Sequence, residues 1–234
     1  MKAHKPLQYV TGKTWFMDYE FSVNEHVLIP RPETEEMVQS ILDELKRVKE
    51  SKTTLTILDI GTGSGCIAVA LSKSLVNSVV YAIDISEEAL NVARENARMN
   101  GANVSFLKAD ILDPSYTWLK GKPDIIVSNP PYVTEQDKVL MQRNVVDYEP
   151  HAALFVPADD PLVFYRAIES FAVGNLAPGG RVWLEINEQY GPEVKEIFSK
   201  EYFTQTTILN DFLGKNRFVK AIRGSSQRFS FENA

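Results

Sequence analysis

Asn129-Pro130-Pro131-Tyr132 closes an apolar run, Asp124-Ile125-Ile126-Val127-Ser128. Each proline lacks an N–H and holds φ at about −65°, so the pair ends a strand and stiffens the backbone behind it. A stiff backbone with one carboxamide and one aromatic ring at its rim suits a planar group bearing –NH2. Such a nitrogen is a poor nucleophile, because its lone pair is delocalised. Acceptors for both of its N–H groups orient the nitrogen and favour localisation of the lone pair. The Asn129 side-chain oxygen and the Pro130 carbonyl are suitable acceptors. Tyr132 offers a flat face for a planar group, and the prolines hold a geometry in which small displacements are costly.

A second constellation lies upstream. Asp59-Ile60-Gly61-Thr62-Gly63-Ser64-Gly65 follows one apolar run, and Asp84 ends the next, 19 residues after Gly65. Glycines allow a tight turn and close approach of a ligand to the backbone. An acid at that distance suits the hydroxyls of a ribose, although alone it is equally a turn or capping residue. The spacing is G-x-G-x-G, not the G-x-G-x-x-G of dinucleotide folds, which favours a ligand with a ribose and no phosphate. S-adenosylmethionine fits that description. A third run ends in Ala109-Asp110-Ile111.

Strands predicted over 54–60, 79–85, 104–109, 124–128 and 181–186 alternate with helices at 65–75, 87–100, 160 onward and 192–200. Ser86 is the expected N-cap of the second of these helices and Asn100-Gly101 its stop. Such alternation means a parallel sheet with right-handed crossovers and helices on both faces. Strands at 204–209 and 217–222 lack a crossover-length connection, so they form an antiparallel hairpin at one edge of a seven-stranded sheet. In an open α/β sheet ligands bind beyond the carboxyl ends of the strands, so the four motif-bearing ends are expected to line one crevice. Residues 1–32 read as an extended, hairpin-like segment packing on the catalytic domain, 33–224 as that domain and 225–234 as a tail. Helical spacing of Met37, Val38, Ile41, Leu42, Leu45 and Val48 opens the domain.

Composition sets outer limits. The 234 residues can bury a full core. A net charge of −6 argues against direct nucleic-acid binding. No apolar run approaches the roughly 20 residues that cross a bilayer, and the polar start carries no signal-peptide core, so a cytoplasmic protein without membrane attachment is expected. Cys66 has no visible base and reads as a small packing residue. His4, His26 and His151 offer no metal-ligand spacing, so no metal is expected. The basic residues Lys215, Arg217, Lys220, Arg223 and Arg228 read first as a solvated face, and otherwise as a surface that docks an acidic or RNA-bearing partner.

"NPPY" after "ILDIGTGSGCIAVALS" resembles class I S-adenosylmethionine-dependent methyltransferases acting on planar nitrogen, which implies their Rossmann-like fold. "VLIPRPETEEMV" (27–38), "YEPHAALFVPADD" (148–160), "LAPGGRVWLEI" (176–186) and "DFLGKNRFV" (211–219) narrow this to the release-factor glutamine methyltransferases, the HemK/PrmC family. The resemblance implies methyl transfer to the side-chain amide nitrogen of the glutamine in the Gly-Gly-Gln motif of peptide chain release factors, which makes those factors the partners, with S-adenosylhomocysteine as product. By motif position, Asp59, Gly61, Thr62, Gly63, Ser64, Gly65, Asp84, Ile85, Asp110, Ile111 and Asn129 would bind the cofactor. Asn129, Pro130, Pro131 and Tyr132 would hold the glutamine, with Asn129, Pro130 and Tyr132 catalytic. Some relatives carry an aromatic at the position of Ile111. The family has a helical domain before "KPLQYVTG", which this chain is expected to lack, by truncation or natural loss. Two other readings compete: an adenine amino-group methyltransferase of nucleic acid, and a non-catalytic cofactor-binding module.

Overall fold

The structure, a computed structural model, describes residues 4–48, 54–116, 121–139, 141–199 and 201–225. Helix α1 (Leu7–Thr11) precedes a hairpin of β1 (Lys13–Phe16) and β2 (Tyr19–Ser22), and α2 (Pro32–Val48) follows. Then come β3 (Leu55–Ile60), α3 (Cys66–Ser74), β4 (Ser78–Asp84), α4 (Glu87–Asn100), β5 (Val104–Lys108) and β6 (Ile125–Ser128). The one-turn helices α5 (Glu135–Lys138) and α6 (Arg143–Val146) interrupt the long connection to α7 (Val163–Asn175). The remainder is β7 (Arg181–Glu185), α8 (Gly191–Ile197), β8 (Phe203–Asn210) and β9 (Asn216–Arg223).

The seven-stranded sheet has the order β5-β4-β3-β6-β7-β9-β8. Its first five strands are mutually parallel, and β9 runs antiparallel to both β7 and β8. The parallel sheet with an antiparallel edge hairpin is thus present as expected. Strand order reverses between β3 and β6, which makes their carboxyl ends the switch point. Both faces of the central strands are covered, so they read as continuous apolar runs. Ile57, Ile125, Val127 and Trp183 pack toward α2 and α3, while Leu58, Ile126, Val182 and Leu184 pack toward α7 and α8. Each such fully buried side chain contributes roughly 1.5–3 kcal/mol.

Helix α4 has the predicted ends. The Ser86 hydroxyl accepts from the Ala89 N–H at 3.1 Å, and Gly101 stops the helix in the left-handed region at φ 59°. Fully buried Asn96 projects from the middle of α4 and ties two distant segments together. Its Oδ1 accepts from the Ser22 N–H at 2.7 Å, and its Nδ2 donates to the Ser22 carbonyl at 3.0 Å and to the Ser64 carbonyl at 2.9 Å. The β1–β2 hairpin, with Phe16 and Phe21 buried in the core, is thereby braced against the turn that follows β3.

Three expectations need revision. The segment before α2 is not wholly extended, since Leu7–Thr11 is helical and stops at Gly12, φ 75°. The helix expected at Asp160-Pro161 starts at Val163, because Leu162 (φ −107°, ψ 8°) is outside the helical region; Asp160 instead pairs with the Arg166 guanidinium. Of the basic residues near the end, Lys215 is exposed, but Arg217, Lys220 and Arg223 do not lie on a solvated face. Strand β9 lies between β7 and β8, so its side chains meet covered faces: Lys220 pairs with Glu44 at 3.1 Å, Arg217 with Asp211 at 3.2 Å, and buried Arg223 donates to the Leu176 carbonyl. Lys215 pairs with Glu188 at 2.9 Å, while Arg228 and the tail beyond Ser225 lie outside the described residues.

Candidate active site

Hydrogen bonds link the carboxyl ends of the four motif-bearing strands. The Gly61 and Thr62 N–H groups donate to the Ile83 carbonyl at 2.9 and 3.0 Å, Ala109 N–H donates to the Asp84 carbonyl at 3.0 Å, and the Ser128 hydroxyl donates to the Ile60 carbonyl at 2.7 Å. The ends of β3, β4, β5 and β6 thus form one contiguous rim.

The three glycines of the turn after β3 divide into two kinds. All have positive φ: Gly61 71°, Gly63 53°, Gly65 81°. A Cβ on Gly65 would lie 3.0 Å from the Ala93 Cβ, so this glycine lets α3 and α4 approach. A Cβ on Gly61 or Gly63 would meet nothing within 4 Å; these two border open space.

Asp59 is fully buried. Its Oδ2 accepts from the Thr62 hydroxyl at 2.6 Å; among the described residues its Oδ1 has no partner at full hydrogen-bond geometry, although the Ala68 backbone N–H pulls on the carboxyl. Burial pushes its carboxyl up to about 7, against the pull of Thr62. Asp84 accepts from the Gly63 N–H at 2.9 Å on Oδ2 and from the Ser86 N–H at 3.0 Å on Oδ1. Burial raises it too, opposed by those backbone donors. Asp84 therefore shapes the turn as well as edging the rim. Ile85 stands 59% exposed beside it. Asp110 accepts from the Leu112 N–H at 2.9 Å, whereas Ile111 is buried in the core cluster of Ile83 and Leu58. Thr62 and Ser64 are buried within the turn.

Beyond β6, Asn129 and Tyr132 belong to a hydrogen-bonded network. Asn129 Nδ2 donates to Thr34 Oγ1 at 3.1 Å, and Thr34 Oγ1 donates to Glu185 Oε2 at 2.7 Å. Tyr132 donates its hydroxyl to Glu185 Oε1 at 3.0 Å. Glu185, at the end of β7, is 1% exposed. Burial raises its carboxyl above the usual range, while the Thr34 and Tyr132 hydroxyls and the Arg217 charge pull it back. Burial, then the Glu185 charge, raises the Tyr132 phenol well above its ordinary value, so it stays a donor. The backbone after the prolines is pinned as well: Asn187 Nδ2 donates to the Tyr132 carbonyl at 3.3 Å, and Val133 pairs with the 154–156 segment at 2.9 and 3.0 Å.

A cavity of about 490 Å³ opens here, with Asn129, Pro130, Tyr132, Asn187, Arg31 and Arg217 in its lining. The glycine turn lies outside its walls. Asn129 joins the two features, since it lines the cavity and follows Ser128, the register partner of Ile60. Across the cavity rim the buried Glu149 carboxylate binds Arg31 at 2.6 Å and the Ile29 N–H at 3.2 Å.

Thr34, Glu185 and Asn187 were not among the residues expected from sequence. Glu185 carries a readable signal, an acid closing the apolar run Val182-Trp183-Leu184 at a strand's carboxyl end. Thr34 carries none, because it reaches the site from a helix whose spacing marks only its core face. Cys66 is a buried packing residue whose thiol burial pushes up to about 12. Among the described residues no cluster of three or more His, Cys, Asp or Glu could hold a metal, and no helix is long and apolar enough to cross a membrane.

A family profile described as a methyltransferase domain matches residues 51–155. The release factor glutamine methyltransferase of Flavobacterium psychrophilum is 46% identical over 220 residues, 94% of this chain and 76% of that protein. The enzyme of the same name from Bacteroides thetaiotaomicron is 44% identical over 224 residues, 95% of this chain and 78% of the other. Among solved structures, a Pyrococcus furiosus methyltransferase superposes with a TM-score of 0.60 at 21% identity, covering 87% of this chain and 88% of its own. The Thermus thermophilus 16S rRNA N2 G1207 methyltransferase, in complex with AdoMet and guanosine, gives 0.61 at 16% identity, covering 90% of this chain and 49% of its own. These two likenesses establish the class I methyltransferase fold.

Proposed function

The chain belongs to the family of release factor glutamine methyltransferases, and we propose that it methylates the side-chain amide nitrogen of the glutamine in the Gly-Gly-Gln motif of peptide chain release factors. One observation carries the reading: the Asn129 carboxamide, anchored through its nitrogen, lines a cavity beside the glycine turn.

The rim fits S-adenosylmethionine as methyl donor. Among the described residues the Oδ1 of buried Asp59 has no partner at full geometry, so it can take a donor such as an ammonium, and a poorly paired buried acceptor is costly. Gly61 and Gly63 leave open space where side chains would stand, so a ligand can lie against their backbone. Asp84, Ile85 and Asp110 are placed to receive the ribose and the adenine edge, with Ile111 supporting from the core. When bound, S-adenosylmethionine supplies an electrophilic methyl group on a sulfonium.

The chain's own residues prepare the nucleophile. Asn129 Oδ1 and the Pro130 carbonyl accept from the two amide N–H groups, which turns the nitrogen lone pair toward the rim. Tyr132, held by Glu185, stacks against the planar carboxamide, and Pro131 keeps the segment stiff. A substrate of this kind places the protein's work in the cytoplasm, where release factors act.

Incubating the purified protein with labelled S-adenosylmethionine and a release factor, with RNA in a parallel arm, tests this. Mass spectrometry should find one added methyl on the motif glutamine. Label in RNA alone would make the protein an adenine methyltransferase, and no label in either arm with retained cofactor binding would make it a non-catalytic module.

A further inference from the structure

A carboxylate accepts hydrogen bonds and donates none, whereas a threonine hydroxyl has one proton to give and lone pairs to accept with. Both oxygens of buried Glu185 are taken by hydroxyls, Oε1 by Tyr132 and Oε2 by Thr34. With Glu185 ionised, as at the pH 8 of the test below, the single Thr34 proton is committed to it, and toward Asn129 the Thr34 oxygen can only accept. The matching donor is Asn129 Nδ2 at 3.1 Å. The two ends of a carboxamide are almost the same size, so shape alone does not choose between them; the proton count does. With Nδ2 turned to Thr34, Oδ1 is the end left for the cavity.

We propose that Thr34 and Glu185 are positioning residues, whose relay Glu185–Thr34–Asn129 fixes the Asn129 carboxamide with its oxygen, not its nitrogen, toward the substrate –NH2. The inference rests on the reading that the cavity takes a carboxamide for methylation. Reversed, the Asn129 amide would set one –NH2 against another and no hydrogen bond would form. A leucine at 185 would continue the apolar run of β7 but would free the Thr34 proton for Asn129 Oδ1. A buried acid is an expensive way to end a strand, and the relay gives it a use. The same carboxylate holds Tyr132, so one acid sets both substrate-facing side chains.

A double-variant cycle tests the relay. In Asn129→Asp the new carboxylate needs the Thr34 hydroxyl proton, which is already given to Glu185, and turnover of a Gly-Gly-Gln peptide at pH 8 should fall by at least ~100-fold. Adding Glu185→Gln supplies an –NH2 that donates to Thr34 and releases its proton toward position 129. Asn129→Asp/Glu185→Gln should therefore turn over about 10-fold faster than Asn129→Asp, a coupling typical of directly linked groups. Glu185→Gln alone should be slower than the parent. A double variant no faster than Asn129→Asp, from a parent that methylates glutamine, overturns the relay and leaves the function standing.

A second measurement needs no substrate. The Asn129 side-chain amide protons, followed by NMR hydrogen exchange, should be protected in the parent and in Thr34→Ser, and should lose protection in the near-isosteric Thr34→Val. Equal protection in all three overturns the proposal. If the parent binds cofactor but methylates no glutamine, the function falls by itself and this exchange experiment decides the relay. It also decides if a Glu185 variant fails to fold.

Discussion

Asn129 Nδ2 lies 3.1 Å from Thr34 Oγ1, joining two residues that stand 95 positions apart, at the end of a strand and in the first turn of a helix. Among the described residues Asn129 Oδ1 accepts no hydrogen bond. Asn129→Ala removes that acceptor, and turnover on a release factor should fall about 100-fold or more, as for one preorganised polar contact in a transition state. Cofactor affinity by calorimetry should change far less. A variant that transfers methyl at the parent rate would refute the amide clamp.

Asp84 plays two parts, and its replacement should report both. Asp84→Ala deletes an acceptor at the rim and also strands the Gly63 and Ser86 N–H groups. Calorimetry should show weaker cofactor binding, with about 1.5–3 kcal/mol lost per charge-assisted hydrogen bond. The melting temperature of the ligand-free variant should drop as well. Unchanged affinity in a folded variant would remove Asp84 from the cofactor site.

The carboxyl of Asp59 sits at about 7 in the folded chain, above its unfolded value of 3.8. The folded state therefore holds a proton that the unfolded state has released. The stability that Asp59 contributes is full below about pH 4, falls as pH rises toward 7, and is gone above it, a span on the order of 2–4 kcal/mol. Denaturant melts of the ligand-free protein should slope downward across that window, and Asp59→Asn should flatten the slope. With the cofactor site proposed above, the stabilisation given by S-adenosylhomocysteine should grow across the same window, because an ammonium at Asp59 would favour the charged acid. A parent without the slope would remove the premise.

Asn96 makes three hydrogen bonds between α4, the hairpin and the glycine turn. Asn96→Ala leaves buried backbone groups without partners, and unfolding should become easier by roughly 1–3 kcal/mol. Proteolysis should speed up first around residues 12–23. Wild-type stability in a urea melt would mean the brace carries no load.

Much of this was legible in the chain itself, and the rest was not for identifiable reasons. Helix α4 announces both ends through Ser86 and Gly101, because caps are local chemistry. The alternation that gives the parallel sheet is equally local, and so is the proline stop after β6. The rim residues could be read by asking what each strand carries at its carboxyl end. That question, put to β7, would also have returned Glu185. Thr34 stayed hidden because its meaning lies in a partner 151 residues away, and no periodicity in α2 points there. The basic residues of β9 misled for a related reason: charge in sequence does not tell whether a strand lies at an edge or one place inside it. Helices α5 and α6 are single turns, too short for any period to show.

The part-buried ion pair of Arg31 with Glu149 fastens the stretch before α2 to the stretch before α7, and the Ile29 N–H adds a second tie to the same carboxylate. Tyr9 secures the first stretch again from behind, through its hydroxyl to the Val27 carbonyl at 2.6 Å. Leu28 and Arg31 on one side, and Ala153 and Leu154 on the other, form facing parts of the cavity wall. Parting these two stretches would cost the Arg31–Glu149 pair and the Ile29 N–H bond together. Glu149 is sealed from solvent while Arg31 is partly exposed, so added salt screens the pair less than it screens a surface pair. A ligand entering the cavity therefore meets this part of the wall with its internal contacts already made.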